Sequence, residues 1–451
     1  MKVAILGGGL TGLTIGYLLN QRGTDIEILE KEEECGGLMR SLVENGFTFD
    51  YGGAHILFSK DKEALNFILD LLAENKVANK RNTKILYKER YVKYPFENGL
   101  ADLPIEENFE CLYDFIQNLI RKEKGESRKP RNLREWFYYT FGKGMTEKYM
   151  IPYNEKIWKH PTEDISLEWV ERIPNPPVED IVKSSLGIQT EGYTHQLDFF
   201  YPIVGGIQSV IRAIEEKLKG HIVKRFQVKS IRKKGNKWIV SSGDSEKEFD
   251  KVISTIPIHD IIGVFKNGGI SVPATVQRAV RQLKYNSLIT VMLGVQNRKL
   301  NELHWLYIPE KNALAHRVSF PSNFSPKAAS SGKSSVMADI TCNYGDRVWS
   351  MKDEDLITET IDNLKELRII DKQDSVCLSK VRRFKYAYVI SDLNFEKNIV
   401  TTTKYVRRVG IDLVGRFAEF RYFNMDACVR RAMEYTSSLR LQRGMQSKGL
   451  S

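Results

Sequence analysis

Three glycines near the start of the chain, Gly7, Gly9 and Gly12, stand in the spacing G-x-G-x-x-G, with Gly8, Leu10 and Thr11 between them. Glycines so placed let backbone close on a pyrophosphate. The first permits a tight turn, the second a close approach of the phosphates, and the third close packing of helix on strand. The phosphates then meet unpaired N–H groups at the positive end of a helix. Glu30 follows at the distance where an acid accepts hydrogen bonds from a ribose hydroxyl. Elsewhere the sequence carries no Ser/His/Asp triad, no H-E-x-x-H and no paired carboxylates in a motif context. The hard chemistry must therefore come from a cofactor that the protein orients.

The elements needed to hold these residues are present in order. An apolar run over 2–6 predicts a strand, 13–19 a helix, and 25–29 a second strand ending at Glu30. A glycine turn in an ordinary α/β protein would not explain all four features together, so this βαβ unit is predicted to bind a dinucleotide. Residues 47–51 form a short alternating strand leading into Gly52-Gly53-Ala54-His55, and Ser59 is a candidate cap for the helix that follows. Phe109, Leu112, Phe115, Ile116 and Leu119 recur at helical spacing, and 105–185 reads as largely helical with proline breaks. After Gly205-Gly206 the spacing predicts a helix over 207–218, strands over 223–231 and 237–242, and a buried strand within 250–257. Further strands are expected over 283–295 and 335–342, then a strand, a Gly-Arg turn and a last helix over 410–435.

Length and composition agree with a folded protein of two or three domains: 451 residues, 42% hydrophobic and 28% charged. No apolar run approaches the roughly 18 residues of a transmembrane helix, and the first apolar run is interrupted by three consecutive glycines, unlike a signal peptide. The five cysteines (35, 111, 342, 377 and 428) are scattered and never in C-x-x-C spacing, which predicts a reducing, cytoplasmic setting and neither zinc nor a disulfide framework. A net charge of +11 suits anionic ligands in general. Its basic clusters at 229–237 and 430–431 carry no nucleic-acid signature, so a phosphate-bearing small substrate is the expected partner.

The segment after Glu30, Lys31-Glu32-Glu33-Glu34-Cys35-Gly36-Gly37-Leu38-Met39-Arg40-Ser41, resembles the second signature of the flavoprotein group that includes amine oxidases, protoporphyrinogen oxidases and UDP-galactopyranose mutases. Further stretches resemble the mutases in particular, and in the order of that family. They are Tyr94-Pro95-Phe96-Glu97-Asn98, Met150 through Trp158, Trp169 through Ile173, Trp305 through Glu310 with Arg317 and 322–326, and Gly415 through Asp426. Glu97 places an acid where the family's loop has glutamine, Phe324 replaces a tyrosine, and Tyr388 is followed by valine rather than proline.

The resemblance implies an α/β architecture: a discontinuous Rossmann-like FAD domain (1–60, 205–262 and 395–451), a mainly helical insertion (61–204) and a substrate-side β-sheet domain (263–394). It implies FAD held by Gly7, Gly9, Leu10, Thr11, Gly12, Glu30, Lys31, Gly36, Gly37, Leu38, Ser41, Gly53, Ala54, His55, Val228, Arg416, Asn424 and Met425. It places Phe96, Tyr149, Asn154, Trp158, Arg172, Tyr307, Arg317, Tyr388 and Tyr422 around a nucleotide sugar, with Tyr153 beside them. Arginines suit a pyrophosphate because they are planar and permanently charged. Arg172, Arg317 and His55 are the catalytic candidates, His55 as a group that positions the flavin. The implied reaction interconverts pyranose and furanose forms of a UDP-sugar, with reduced flavin N5 as nucleophile and an unidentified reductant. The alternative is an FAD-dependent oxidoreductase of the amine oxidase/protoporphyrinogen oxidase type, which the first fifty residues fit equally well. The sequence leaves the sugar and the oligomeric state open.

Overall fold

The computed structural model describes residues 1–173, 176–190, 197–296 and 300–439. The chain divides into two units, one built from residues 1–35, 214–271 and 406–451, the other from 36–213 and 272–405.

The first unit is organised on a five-stranded parallel sheet. Its order is Asp412–Leu413, Lys251–Ser254, Lys2–Leu6, Asp25–Leu29 and Ile222–Val223. Lys2–Leu6 lies at the centre, and Val3, Ala4, Ile5 and Leu6 are fully buried, as a parallel strand covered on both faces requires. Helix Leu10–Asn20 follows it and packs on helix Met425–Ser438. A Cβ at Gly16 would sit 2.6 Å from Ile28 Cδ1, so helix and sheet approach more closely than any other residue would allow. The strand expected over 223–231 is two strands, Ile222–Val223 and Ser230–Lys234, separated by a loop. The second of these opens an antiparallel three-stranded sheet with Lys237–Ser241 and Glu246–Phe249.

The second unit holds a seven-stranded sheet in the order Val376–Ile390, Lys284–Val295, Ser334–Cys342, Arg317–Ser319, Trp305–Tyr307, Thr83–Tyr87 and Arg90–Lys93. Neighbours are antiparallel except Trp305–Tyr307 with Thr83–Tyr87. The region 61–204, expected to be mainly helical, thus supplies two strands to this sheet as well as helices Ile105–Glu123, Leu133–Met145, Ile151–Trp158 and Val178–Ser185. The sheet's apolar core includes Ile289, Val291, Leu306, Val318 and Ile340, with Leu356 and Leu364 of helix Asp353–Glu366 packed into it. Among the described residues, no helix is long and apolar enough to cross a membrane.

One buried carboxylate ties several segments of this unit together. Asp50 is 2% exposed. Its Oδ1 accepts from Ser41 Oγ at 2.7 Å and from the Ile207 N–H at 2.9 Å, and its Oδ2 accepts from Tyr201 Oη at 2.8 Å. The His55 N–H also donates to it. Burial pushes the carboxyl up to about 6 while these donors pull it down. Gly206 adopts φ +64°, and a Cβ there would come within 2.7 Å of Ser41 Oγ and Asp50 Oδ1. Replacing one carboxylate oxygen by an NH2 would turn a donor toward donors. We predict that Asp50→Asn destabilises the fold by about 3 kcal/mol, the scale for breaking a buried charged network, as read by urea unfolding. A loss below about 1 kcal/mol would mean that water or other groups replace the carboxylate.

Candidate functional site

In the first unit the glycine turn is shaped around an opening. Gly7 has φ +98°, and an added Cβ would meet Thr255 Oγ1 at 2.7 Å. At Gly12 a Cβ would lie 2.0 Å from the Gly7 carbonyl oxygen, so the helix rests directly on the turn. Gly9 has nothing within 4 Å of its Cβ position. It caps helix Leu10–Asn20, whose first turn carries no acidic side chain, leaving the helix's positive end available to an anion beside Leu10 and Thr11.

Buried Glu30 is held by the Gly8 N–H at 2.7 Å on Oε2 and the Glu32 N–H at 2.9 Å on Oε1. A carboxylate has further lone pairs for a ribose hydroxyl. Lys31 is exposed and lies 3.6 Å from the Glu32 carboxylate. Gly415, at φ +100°, would place a Cβ 2.7 Å from Thr11 Oγ1, so the turn after Asp412–Leu413 closes on the start of the first helix. Arg416 donates from Nη1 to the Phe423 carbonyl at 2.8 Å and lies over Tyr422, 4.3 Å from the ring centroid. Asn424 is the N-cap residue of Met425–Ser438 but makes no side-chain cap bond. Val228 lies half-buried in the loop between two strands. These residues fit a dinucleotide pyrophosphate: an open glycine, an uncompensated helix N-terminus and a fixed acid.

The second unit carries the other flavin candidates. Gly36 and Gly37 both have positive φ (+122° and +57°), and a Cβ at Gly52 would fall 2.0 Å from the Leu38 carbonyl oxygen. Ser41, expected as a cofactor contact, gives its hydroxyl proton to Asp50 and accepts the Gln208 N–H at 3.1 Å, which fastens the loop. Ala54 and His55 are half-buried.

Arg317 stands at the centre of the remaining residues. Its Nε and Nη2 donate to Asp339 Oδ2 at 2.8 and 2.6 Å, and Asp339 is completely buried one strand away. Burial opposes the guanidinium charge, but Asp339, together with Tyr388, Tyr307 and Tyr153, more than offsets it. A Cβ on Gly53 would lie 3.5 Å from Arg317 Nη2, so the guanidinium sits against the backbone two residues before His55. The bonds to Asp339 use only part of its donor set.

A column of rings leads away from Arg317. Tyr153 stacks on Tyr149 (5.2 Å between centroids, 7° between planes), Tyr149 stacks on Phe96 (4.7 Å, 5°), and Tyr307 meets Tyr153 edge-on at 5.4 Å. The i, i+4 spacing of Tyr149 and Tyr153 and the π-helical turn Thr146–Met150 set this stack. The Tyr153 hydroxyl is buried and has no hydrogen-bond partner among the described residues, an orphan that a ligand oxygen would satisfy.

Phe96, expected to face the substrate, has no exposed surface. Its ring is occupied by Tyr149 and the edge of Tyr87, so it forms the wall behind the site. Asn154, expected as a polar contact, accepts from Trp158 Nε1 at 3.2 Å and donates to the Met150 carbonyl at 2.8 Å. It thereby holds the Trp158 ring, which meets Tyr388 edge-on at 6.1 Å. Arg172 ends the 3₁₀ helix Leu167–Arg172; its side chain lies outside the described residues. Glu97 is 2% exposed, and burial pushes its carboxyl up to about 7. Near neutral pH much of it is protonated, so this acid can donate as an amide does.

Sequence reasoning missed Arg81. It donates to Tyr307 Oη at 3.2 Å and to Thr83 Oγ1 at 3.0 Å, and lies 4.7 Å from the Tyr94 ring centroid. Nothing in Lys80-Arg81-Asn82 marks it, because Tyr307, the partner that brings it to these residues, comes from a strand distant in the chain.

The fold and the glycine-lined cradle define a flavin-dependent enzyme of the amine oxidase superfamily. Residues 10–391 match the family model described as flavin containing amine oxidoreductase, and the chain belongs to that family. Among solved structures, a reduced UDP-galactopyranose mutase superposes with a TM-score of 0.88 at 25% identity, covering 97% of this chain and 93% of that one. Curated relatives match over shorter stretches. Protoporphyrinogen oxidase 2 of Arabidopsis thaliana is 25% identical over 167 residues, 34% of this chain and 31% of that protein. A 4,4'-diapophytoene desaturase of Staphylococcus aureus (strain MRSA252) is 40% identical over 57 residues, 13% of this chain and 11% of that protein. The match thus spans less than a third of either relative.

The glycine geometry gives opposite expectations for two neighbouring positions. Gly12→Ala should cost at least about 2 kcal/mol, as overpacking does, in chemical denaturation. Gly9→Val should leave unfolding within about 1 kcal/mol of wild type yet weaken flavin uptake at least about tenfold, followed by flavin absorbance after dialysis. Equal flavin retention in Gly9→Val and wild type would remove the middle glycine from the cofactor cradle.

Proposed function

We propose that this protein is an FAD-dependent mutase that interconverts the pyranose and furanose forms of a UDP-sugar while its flavin is reduced. The observation that carries the reading is the Arg317 guanidinium, held by a buried carboxylate among three tyrosines and lying against Gly53. Such a group suits a diphosphate, whereas an apolar amine or porphyrinogen has no use for it. The overall similarity to a reduced UDP-galactopyranose mutase supports the same choice.

When bound and reduced, the flavin supplies a nucleophilic nitrogen, so the conversion needs no net oxidation. The chain's own residues bind and orient. Arg317 receives the diphosphate and stabilises its charge as it departs, a role for fixed donors aimed at developing negative charge. Asp339 keeps the guanidinium from turning away. Tyr153, Tyr307 and Tyr388 offer phenolic donors to the same oxygens, and Arg172 is proposed as a second cationic donor. The ring column and Trp158 exclude water from one side, with protonated Glu97 taking the part of an amide. His55 positions the flavin through a loop that Asp50 fixes.

The partial matches to an oxidase and a desaturase keep net oxidation as the second reading, in which Arg317 serves only as one half of an internal ion pair. The two readings separate in one assay: dithionite-reduced protein incubated with UDP-galactofuranose, with UDP-galactopyranose as the product measured. We expect turnover only in the reduced state. Arg317→Ala should lower it at least about tenfold, the scale of losing an electrostatic stabiliser, with flavin still bound. A near-normal rate in that variant would take Arg317 out of the reaction. Oxygen consumption with an amine or porphyrinogen, without isomerisation, would favour the oxidase.

A further inference from the structure

Helix Ile151–Trp158 has two faces with different neighbours. Tyr153 joins the ring column, and Asn154 holds the Trp158 ring. Pro152, Glu155, Lys156 and Lys159 recur at i, i+3, i+4 and i+7, so they share another face. That face lines a half-open cavity of about 250 Å³, with Lys311, Leu314, Ile340 and Val348 on its other walls. At roughly 30 Å³ for a water-sized unit, it has room for about eight non-hydrogen atoms.

The sheet separates this cavity from Arg317. Arg317 and Asp339 are register partners whose side chains bond on one face. His316 and Ile340 stand one step along the same two strands, with the His316 N–H bonded to the Asp339 carbonyl, and so point to the opposite face. Ile340 lines the cavity there.

Positive charge is in surplus around it. Three lysines line the cavity against one glutamate, Glu155, whose Oε1 already accepts the Thr162 N–H at 3.1 Å and hydroxyl at 3.2 Å. None of the three lysines forms an ion pair with a described residue. Lys156 donates to the Ile308 and Glu310 carbonyls, which leaves its third N–H for a ligand. Burial lowers the Lys156 and Lys159 ammoniums, and the Lys159 charge lowers Lys156 further. Glu310 and Asp346 attract them from beyond the lining. Both carboxylates are already engaged by backbone N–H groups, Glu310 by Lys88 and Asp346 by Asn343 and Trp349. His316 is 1% exposed, neither of its ring nitrogens has a partner among the described residues, and the Lys156 and Lys159 charges act on it. A buried ring N–H without an acceptor, beside ammoniums without a carboxylate, makes a donor set arranged for an anion.

We propose that this cavity binds a small phosphate monoester, at a site separate from the one around Arg317. A phosphate's two charges match the surplus in the lining, and its three terminal oxygens can meet three lysines at once. The apolar side chains of Leu314, Ile340 and Val348 suit a short organic body on the fourth oxygen. Lys156 bonds to carbonyls just past Tyr307, so a ligand here bears on the placement of the ring column. The proposal is independent of the reaction catalysed.

Calorimetric titration of the flavin-loaded protein with n-propyl phosphate tests it. We expect a dissociation constant below about 1 mM, in keeping with a ligand of so few atoms. Lys159→Met and Lys311→Met, with unchanged circular dichroism, should each weaken binding at least about fivefold, the scale of one charge-assisted hydrogen bond. Lys159→Arg, which keeps the charge, should stay within about threefold of wild type. Arg317→Ala should bind as wild type does. Inorganic phosphate should bind at least about threefold more weakly, because it lacks the apolar body. Wild type that binds no propyl phosphate overturns the proposal, as do lysine variants that bind it as tightly as wild type. Loss of binding in Arg317→Ala would place the ligand at the other site and equally overturn it. Inorganic phosphate binding as tightly as the ester would overturn the choice of a monoester.

Discussion

A guanidinium buried without a counter-charge would cost several kcal/mol, and one left in open solvent could not be held still. Arg317 avoids both outcomes because Asp339 sits opposite it on the neighbouring strand and takes two of its N–H groups on one oxygen. The pair constrains its surroundings. Ser334–Cys342 must be buried along its whole length to place Asp339 in the interior, and Arg317–Ser319 must pair with Trp305–Tyr307 to bring Tyr307 beside the guanidinium. The seven-stranded sheet is therefore the frame that aims one cation.

The ring column depends on the same frame through a second, quieter contact. Lys156 lies on the helix that carries Tyr153 and Trp158, and its Nζ donates to the Ile308 and Glu310 carbonyls at 2.9 and 2.6 Å. Those carbonyls lie one and three residues after Tyr307. The lysine thus ties the helix to the strand whose tyrosine meets Tyr153. Burial lowers its ammonium to about 7, the expected direction for a lysine whose partners are carbonyl dipoles rather than a carboxylate.

Much of this was legible from local pattern. Gly7, Gly9 and Gly12 announce a turn between strand and helix because the whole motif lies within six residues, directly after an apolar run. The long strands Lys284–Val295 and Ser334–Cys342 show as apolar runs. Contacts settled by distant pairing were not legible. Thr83–Tyr87 and Arg90–Lys93 looked like part of a helical insertion because nothing in their sequence names Trp305–Tyr307 as a neighbour. Asp50 reads as one position of a short alternating strand until Tyr201 and Ile207 are folded onto it. Helical spacing identified Phe109, Phe115 and Ile116 as apolar, but only packing shows that Phe115 faces in while the other two face out.

Around the ring column the buried ionisable groups behave differently from one another, and the difference explains why an arginine occupies the central place. Glu97 is raised to about 7 and Lys156 lowered to about 7; each can shed its charge when desolvated. His316, adjacent to Arg317, is held well below its usual range by burial and by that guanidinium. A lysine at 317 would face the same desolvation and could respond by losing its proton, leaving no cation for an anionic ligand. Guanidinium has no such escape, since it stays protonated across the whole accessible range. Its planar fork also lets Asp339 grip one edge while another edge remains for a ligand. Permanent charge with direction is what this position requires, and of the basic side chains only arginine combines the two.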